Sequence, residues 1–198
     1  MIWKTKIFSI HFFKRSLRLE GRIVKLACGA LLLLLSACAT VPEPRTPLVV
    51  VPYVDYERYM GTWYEIARFP HSFEQGCVAT TATYRLVKDE GYFEVVNRCH
   101  EKTVDGPLRE VVGKVWTQDP PIQAKLKISF FSPFAGDYWI IDLAEDYRYA
   151  VVSAPDRDLL WILSRTPQLA PTDRERILEH VRRQGLDVSR LEYPPQIP

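Results

Sequence analysis

The sequence is poor in the features that usually announce chemistry. Its 198 residues include only four cysteines, four histidines and two methionines. No G-x-S-x-G, G-x-x-x-x-G-K-[ST], H-E-x-x-H or G-x-G-x-x-G stretch occurs, so the corresponding nucleophile elbow, phosphate loop, zinc helix and dinucleotide turn are excluded. There is no basic run in the body of the chain. Residues 1–37 hold seven basic residues (Lys4, Lys6, Lys14, Arg15, Arg18, Arg22 and Lys25) and one acid, Glu20, leaving 19 basic against 23 acidic residues beyond them, a net of −4. An acidic body argues against nucleic acid as a partner. No apolar run reaches the roughly 20 residues that a membrane-spanning helix needs, and no long repeat or low-complexity segment appears. What the chain does have is apolar bulk, with 47% hydrophobic, 12% aromatic and 25% charged residues. That is too apolar for disorder and suits one domain with a real core.

The N-terminus reads as an address. Lys25 precedes an apolar run, Leu26 to Leu35, that ends in the small residues Ser36 and Ala37 before Cys38, the layout of a secretory signal peptide. Leu35-Ser36-Ala37-Cys38 resembles the lipobox of bacterial lipoproteins. That resemblance implies cleavage before Cys38, lipid on its thiol and amine, and handling by lipoprotein sorting machinery. Ala39 stands where an Asp would mark inner-membrane retention, so the outer membrane is implied. An ordinary signal with an incidental cysteine is the alternative. Residues 1–22 are long for such a leader and carry Phe8, Phe12 and Phe13, which suggests a true start near Val24. Residues 38–53, with Pro42, Pro44, Pro47 and Pro52, then read as a proline-rich tether, extended at about 3.1 Å per residue. A join with no spacing role is equally compatible with that composition.

The body, residues 54–198, is all-β with one terminal helix. Alternation broken by turn residues predicts strands at 61–69, 77–87, 92–100, 108–117, 124–131, 137–143, 149–154 and 159–165. Lys125-Leu126-Lys127-Ile128-Ser129-Phe130 shows the alternation most clearly. After Pro171, Thr172-Asp173-Arg174-Glu175 fits a capping box, and Ile177, Leu178 and Val181 give one apolar stripe before Gly185. Eight strands with short links predict an antiparallel up-and-down barrel, the strand number at which a barrel can enclose one small ligand.

Gly61-Thr62-Trp63-Tyr64 resembles the G-x-W signature of the lipocalins, Asp146-Tyr147 the end of their second signature, and Arg165 the arginine of the third. The stretch Pro155 to Pro167 and the final helix are closer still to the bacterial outer-membrane lipoprotein lipocalins. Glu145 departs from the threonine frequent at that turn. The resemblance, over about residues 54–194, implies a barrel with the helix packed outside. It also implies a fatty acid or lysophospholipid as ligand, for transport, storage or scavenging in the cell envelope at the periplasmic face. No cofactor is implied.

In an up-and-down barrel successive links alternate between the two ends. Parity therefore places Gly61, Trp63, Asp146, Tyr147 and Arg165 together as a structural floor, with the Arg165 guanidinium able to stack on the Trp63 indole. Links at 70–76, 101–107, 132–136 and 155–158 form the other rim, where Phe73, Pro133 and Phe134 make an apolar mouth if they face inward. Cys77 and Cys99 fall at that end of one hairpin, and outside the cytoplasm a disulfide is the expected outcome. Free thiols or a metal pair are the alternatives, and with only His100 nearby no metal is expected. Inward candidates are Ala82, Tyr84, Phe93, Val95, Asn97, Val111, Val115, Ile128, Phe130, Tyr138, Ile140, Val152, Trp161 and Leu163. Of these, all but Phe93 and Leu163 are taken as ligand-binding. Glu65, on Trp63's face, would also point inward, neutral through burial or paired with a cation. His71 in a rim link could serve as a base, although rim histidines are usually solvated; His180 lies on the external helix. Binding rather than catalysis is expected. A lipid-modifying barrel enzyme and a protein-binding lipoprotein with a filled barrel are the rivals, and a homodimer is left open.

Overall fold

The computed structural model describes residues 46–87, 90–118 and 123–198. The expected signal peptide, the start near Val24 and Cys38 lie outside the described residues. The elements are α1 (Tyr56–Tyr59), β1 (Gly61–Arg68), β2 (Cys77–Val87), β3 (Tyr92–Glu101), β4 (Leu108–Thr117), β5 (Lys125–Phe131), β6 (Phe134–Leu143), β7 (Tyr149–Ser153), β8 (Leu160–Ser164) and α2 (Pro171–Arg183). All eight strands pair antiparallel in chain order, and β8 pairs back onto β1 to close the barrel.

Two apolar cores follow from strands that bury both faces over part of their length. One lies inside the barrel, around Trp63, Val95, Val115, Leu126, Ile140 and Val152. The other lies outside it, where Ala67, Phe69, Ile141, Val151 and Ile162 meet Ile177 and Val181 of α2. The helix therefore packs against the outer wall.

The helix does not start as expected. Its N-cap is Ala170, which has no side-chain bond, and Pro171 occupies the first turn. Proline's fixed φ starts the helix there and places Thr172 inside it, where the hydroxyl cannot cap. Asp173 is free to accept from Arg148 Nε and Nη2, both at 2.7 Å, tying the helix to the barrel.

Three further differences matter for the site. β6 starts at Phe134 instead of 137, so only Ser132 and Pro133 link it to β5, and Phe131 pairs with Phe134 beyond the packed wall. The short helix α1 was not foreseen; the Asp55 carboxylate accepts from Glu57 N and Arg58 N and starts it. The expected tether, residues 38–53, is docked from Thr46 onward. Leu48 is buried in the outer core, Gln184 bonds Val49 N and O, and Val51 N donates to Ile140 O. Apolar residues between the prolines bury surface here, which a free spacer would leave in water.

The C-terminal tail laces a gap near one end. β1–β2 pairing stops at Tyr64 and Thr81, and β2 bulges between Val78 and Thr81, with Ala79 at φ 51°. Arg68 exchanges backbone bonds with Glu192, Ala79 N donates to Pro195 O, and Gln196 Nε2 donates to Glu65 O and Thr80 O.

Candidate functional site

One end of the barrel is plugged. Trp63 is fully buried, and its indole N–H donates to Tyr59 O at 2.9 Å. The Arg165 guanidinium lies 3.7 Å above the Trp63 ring and donates to Thr62 O, Arg58 O and Tyr59 O. Burial lowers the Arg165 pKa. The cation–π contact is worth about 0.5–2 kcal/mol in a setting of this kind. Gly61, at φ +92°, sits beneath the guanidinium in a conformation that side chains rarely adopt. Tyr147, also at positive φ, accepts from Asp55 N at 2.7 Å, and Arg58 stacks on its ring. Asp146 binds Arg148, at 3.2 Å from its backbone N and 2.9 Å from Nη1. The five residues placed at this end by parity are thus together there, joined by Tyr59 and Arg58 of α1.

Above the plug lies a polar layer. Tyr84 Oη donates to Tyr138 Oη at 2.8 Å, and Tyr138 and Tyr59 hydroxyls are 2.8 Å apart. Burial pushes all three phenols well above their ordinary range, so they stay neutral.

Over this layer the barrel opens into a cavity of about 490 Å³. Of the twelve residues expected to contact ligand, Ala82, Tyr84, Asn97, Val111, Ile128, Phe130, Tyr138 and Trp161 line it. Leu163 and Glu65 do so as well. Val95, Val115, Ile140 and Val152 do not: they point inward but are fully buried in the packed core. Phe93 is there too, 4.6 Å from the Tyr56 ring. Two-residue periodicity gives the face of a strand and carries no information about depth. Gly113 makes room for Phe130, since a Cβ at 113 would come within 2.7 Å of that ring.

The wall also carries groups that alternation alone did not single out. Thr80 lines the cavity, and its Oγ1, like Asn97 Oδ1, is buried without a protein partner. Near the mouth Glu65, Arg68, His71 and Glu74 form a buried cluster. Arg68 Nη1 is 2.6 Å from Glu65 Oε1 and 3.6 Å from Glu74 Oε2, and His71 Nε2 is 3.1 Å from Glu74 Oε2. Trp161 Nε1 reaches the same oxygen at 3.5 Å. Burial, then the charge of Glu74, pushes the Glu65 carboxyl well up. Burial also disfavours the Glu74 anion, but contact with His71, Glu65 and Arg68 outweighs it and holds that carboxyl below its ordinary range. The two shifts run in opposite directions, so Glu65 holds a proton more readily than Glu74. Both sequence readings of Glu65 meet in this cluster: burial favours its neutral form, and a cation stands beside it. Its cation is Arg68, which strict alternation sends to the other face. The β1 bulge between Glu65 and Ala67 turns it inward. His71 is not a solvated rim residue: its side chain is only 6% exposed, stacked 3.7 Å from the Phe73 ring centre.

The Cys77–Cys99 disulfide joins the mouth ends of β2 and β3, with both sulfurs' residues lining the cavity. His100 Nδ1 lies 2.9 Å from Gly106 O, turned toward its own loop, and His180 Nε2 lies 3.0 Å from Ile141 O outside the barrel. Among the described residues no cluster of His, Cys, Asp and Glu has the arrangement of a metal site.

A barrel plugged at one end and opening on an apolar cavity at the other is a calyx, a fold class built to enclose a small molecule. Residues 54–196 match the family model described as a lipocalin-like domain, and the chain belongs to the lipocalin family. It is similar to the outer membrane lipoprotein Blc of Escherichia coli K12, 41% identical over 175 residues, covering 88% of this chain and 98% of that protein. It is 38% identical over 156 residues to temperature-induced lipocalin-1 of Arabidopsis thaliana, covering 74% of this chain and 82% of that one. Among solved structures, insecticyanin from the tobacco hornworm superposes with a TM-score of 0.61 at 20% identity, covering 79% of this chain and 88% of that chain. This last likeness concerns the fold alone.

Proposed function

We propose that the protein is a lipid-anchored carrier that holds one fatty acid or lysophospholipid in its barrel, at the periplasmic face of the outer membrane. In that role it transports, stores or scavenges membrane lipid. The observation that carries this reading is the cavity: its volume falls in the range of small-molecule sites, its walls are mostly aliphatic and aromatic, and its floor is shut. An acyl chain buried there gains about 25 cal/mol per Å² of apolar surface removed from water. The cavity is not apolar throughout. Thr80 and Asn97 in the wall offer hydrogen bonds that no protein group takes, which favours an amphipathic ligand over a pure hydrocarbon. The lipobox-like Leu35–Cys38 and the likeness to outer membrane lipoproteins Blc support the anchor and the membrane. Cys38, delivered by the sorting machinery, would be the lipidated residue.

Mass spectrometry of lipids co-purifying with the protein, with titration of a fluorescent fatty acid, tests this reading. Stoichiometric acyl lipid and saturable uptake are expected; no extractable lipid together with no saturable uptake would overturn it. One observation favours an enzyme as a second reading: the carboxyls of Glu65 and Glu74, shifted in opposite directions, lie beside His71. Turnover of a lipid ester that His71→Ala abolishes would establish it.

A further inference from the structure

The mouth carries phenylalanines that the protein leaves in water. Phe131 and Phe134 face each other across the Ser132-Pro133 turn and are 73% and 78% exposed; Phe73, on the β1–β2 link across the same mouth, is 54% exposed. Large apolar side chains gathered on one rim mark a surface that something covers. The course of the chain indicates what. The docked N-terminal segment runs from the mouth end to the floor, with Leu48 in the outer core and Val54 buried in the inner one. At its start Thr46 O accepts from Arg157 in the β7–β8 link, two residues from Leu159, which lines the mouth. Farther along, Val51 N donates to Ile140 O, and Asp55 N reaches Tyr147 Oη at the floor. Thr46, the first described residue, therefore stands at the mouth end.

From Cys38 to Thr46 is a separation of eight residues, a reach of at most about 29 Å when fully extended. On the anchor reading above, a leash this short pulls the mouth toward the membrane and leaves the floor farther away. We propose that the open rim, through Phe131, Phe134 and Phe73, docks on the lipid bilayer that holds the Cys38 anchor. A lipid then passes between bilayer and cavity without crossing open water, and the exposed rings bury their surface among headgroups and upper acyl chains.

The test uses the full chain extracted from cell membranes and reconstituted in vesicles of phosphatidylethanolamine and phosphatidylglycerol with bromine on the acyl chains. Tryptophan is placed at the rim (Phe134→Trp) or on α1 at the floor (Glu57→Trp), and the signal of the unsubstituted protein is subtracted. The rim tryptophan is expected to be quenched at least about twofold more than the floor one, as for a side chain buried 5–10 Å into the interface. Equal quenching at the two positions overturns the docking while leaving the anchor in place. A Cys38 that carries no acyl mass overturns the anchor reading and this proposal with it. Photo-cross-linking from position 134 to a second copy, in place of lipid, overturns the docking in favour of self-association. Ligand uptake in solution is a separate measurement, so the carrier reading can fail or stand independently.

Discussion

The two ends of the barrel use similar residue types in opposite ways. At the floor an indole, a guanidinium and two phenols are interlocked, with Trp63 fully buried and Arg165 spending its donors on Thr62, Arg58 and Tyr59 carbonyls. At the mouth an indole and phenylalanines line open space, with Thr80 Oγ1 and Asn97 Oδ1 unpartnered and Phe131 and Phe134 exposed. A satisfied, packed end holds the fold. An unsatisfied, open end keeps capacity for a ligand. Substitutions at the floor should therefore register in stability, and those at the mouth in binding.

The largest break in that contrast comes from Trp63→Ala. Removing a fully buried indole leaves a void and strips the Arg165 guanidinium of its stacking surface, a loss of about 3–5 kcal/mol. Denaturant unfolding should show a matching fall in midpoint, and an unaltered midpoint would refute the division between the ends. Next is a mouth feature that should also act on stability. The Cys77–Cys99 bond closes a loop of 22 residues, and Cys77→Ser with Cys99→Ser should cost about 3 kcal/mol, chiefly by freeing the unfolded chain. A double variant that unfolds at the parent midpoint would show that the barrel hairpin is held without it.

How much of each end was legible in the sequence differs for a physical reason. The floor depends on which link lies at which end, and parity in an up-and-down barrel fixes that from strand order alone. Strand order therefore places Trp63, Tyr147 and Arg165 together. The mouth depends on bulges, depth and polar pairing. The bulge after Glu65 reverses the sense of β1 and brings in Arg68, and no pattern in Glu65-Ile66-Ala67-Arg68 announces it. Depth misplaced Val95, Val115, Ile140 and Val152, which share a face with true lining residues but sit lower. Phe134 escaped the strand pattern because an exposed hairpin tip has no buried face to alternate. α1 did carry a signal, Asp55 ahead of Glu57 and Arg58, but four residues are too short for periodicity to show.

Smaller in energy, and confined to binding, is Trp161→Ala. The side chain is half-buried, forms part of the cavity wall, and meets His71 and Glu74 at its edge. Losing that wall should weaken fatty-acid binding about tenfold, equivalent to roughly 1.4 kcal/mol, with little change in unfolding midpoint. Affinity that stays constant in a fluorescent-lipid titration would place the ligand elsewhere.

The smallest effect separates the two carboxyls of the mouth. Glu65 is raised above its ordinary 4.5, first by burial and then by the charge of Glu74. A folded-state pKa above the unfolded one means the native state binds more protons between the two values. Stability from Glu65 is thus complete below about pH 4.5 and declines as pH rises through its folded value. Glu74, held below 4.5, has the opposite sign: its contribution is present above 4.5 and lost as pH falls through its lowered value. Glu65→Gln keeps a neutral side chain of the same size, so below the decline it should alter stability by only about 1 kcal/mol. It should nevertheless remove the decline toward higher pH while leaving the one toward lower pH. Urea unfolding at stepped pH reads both limbs. A high-pH limb that survives in the variant would show that other groups carry it and that Glu65 is not the carboxyl that burial shifts upward.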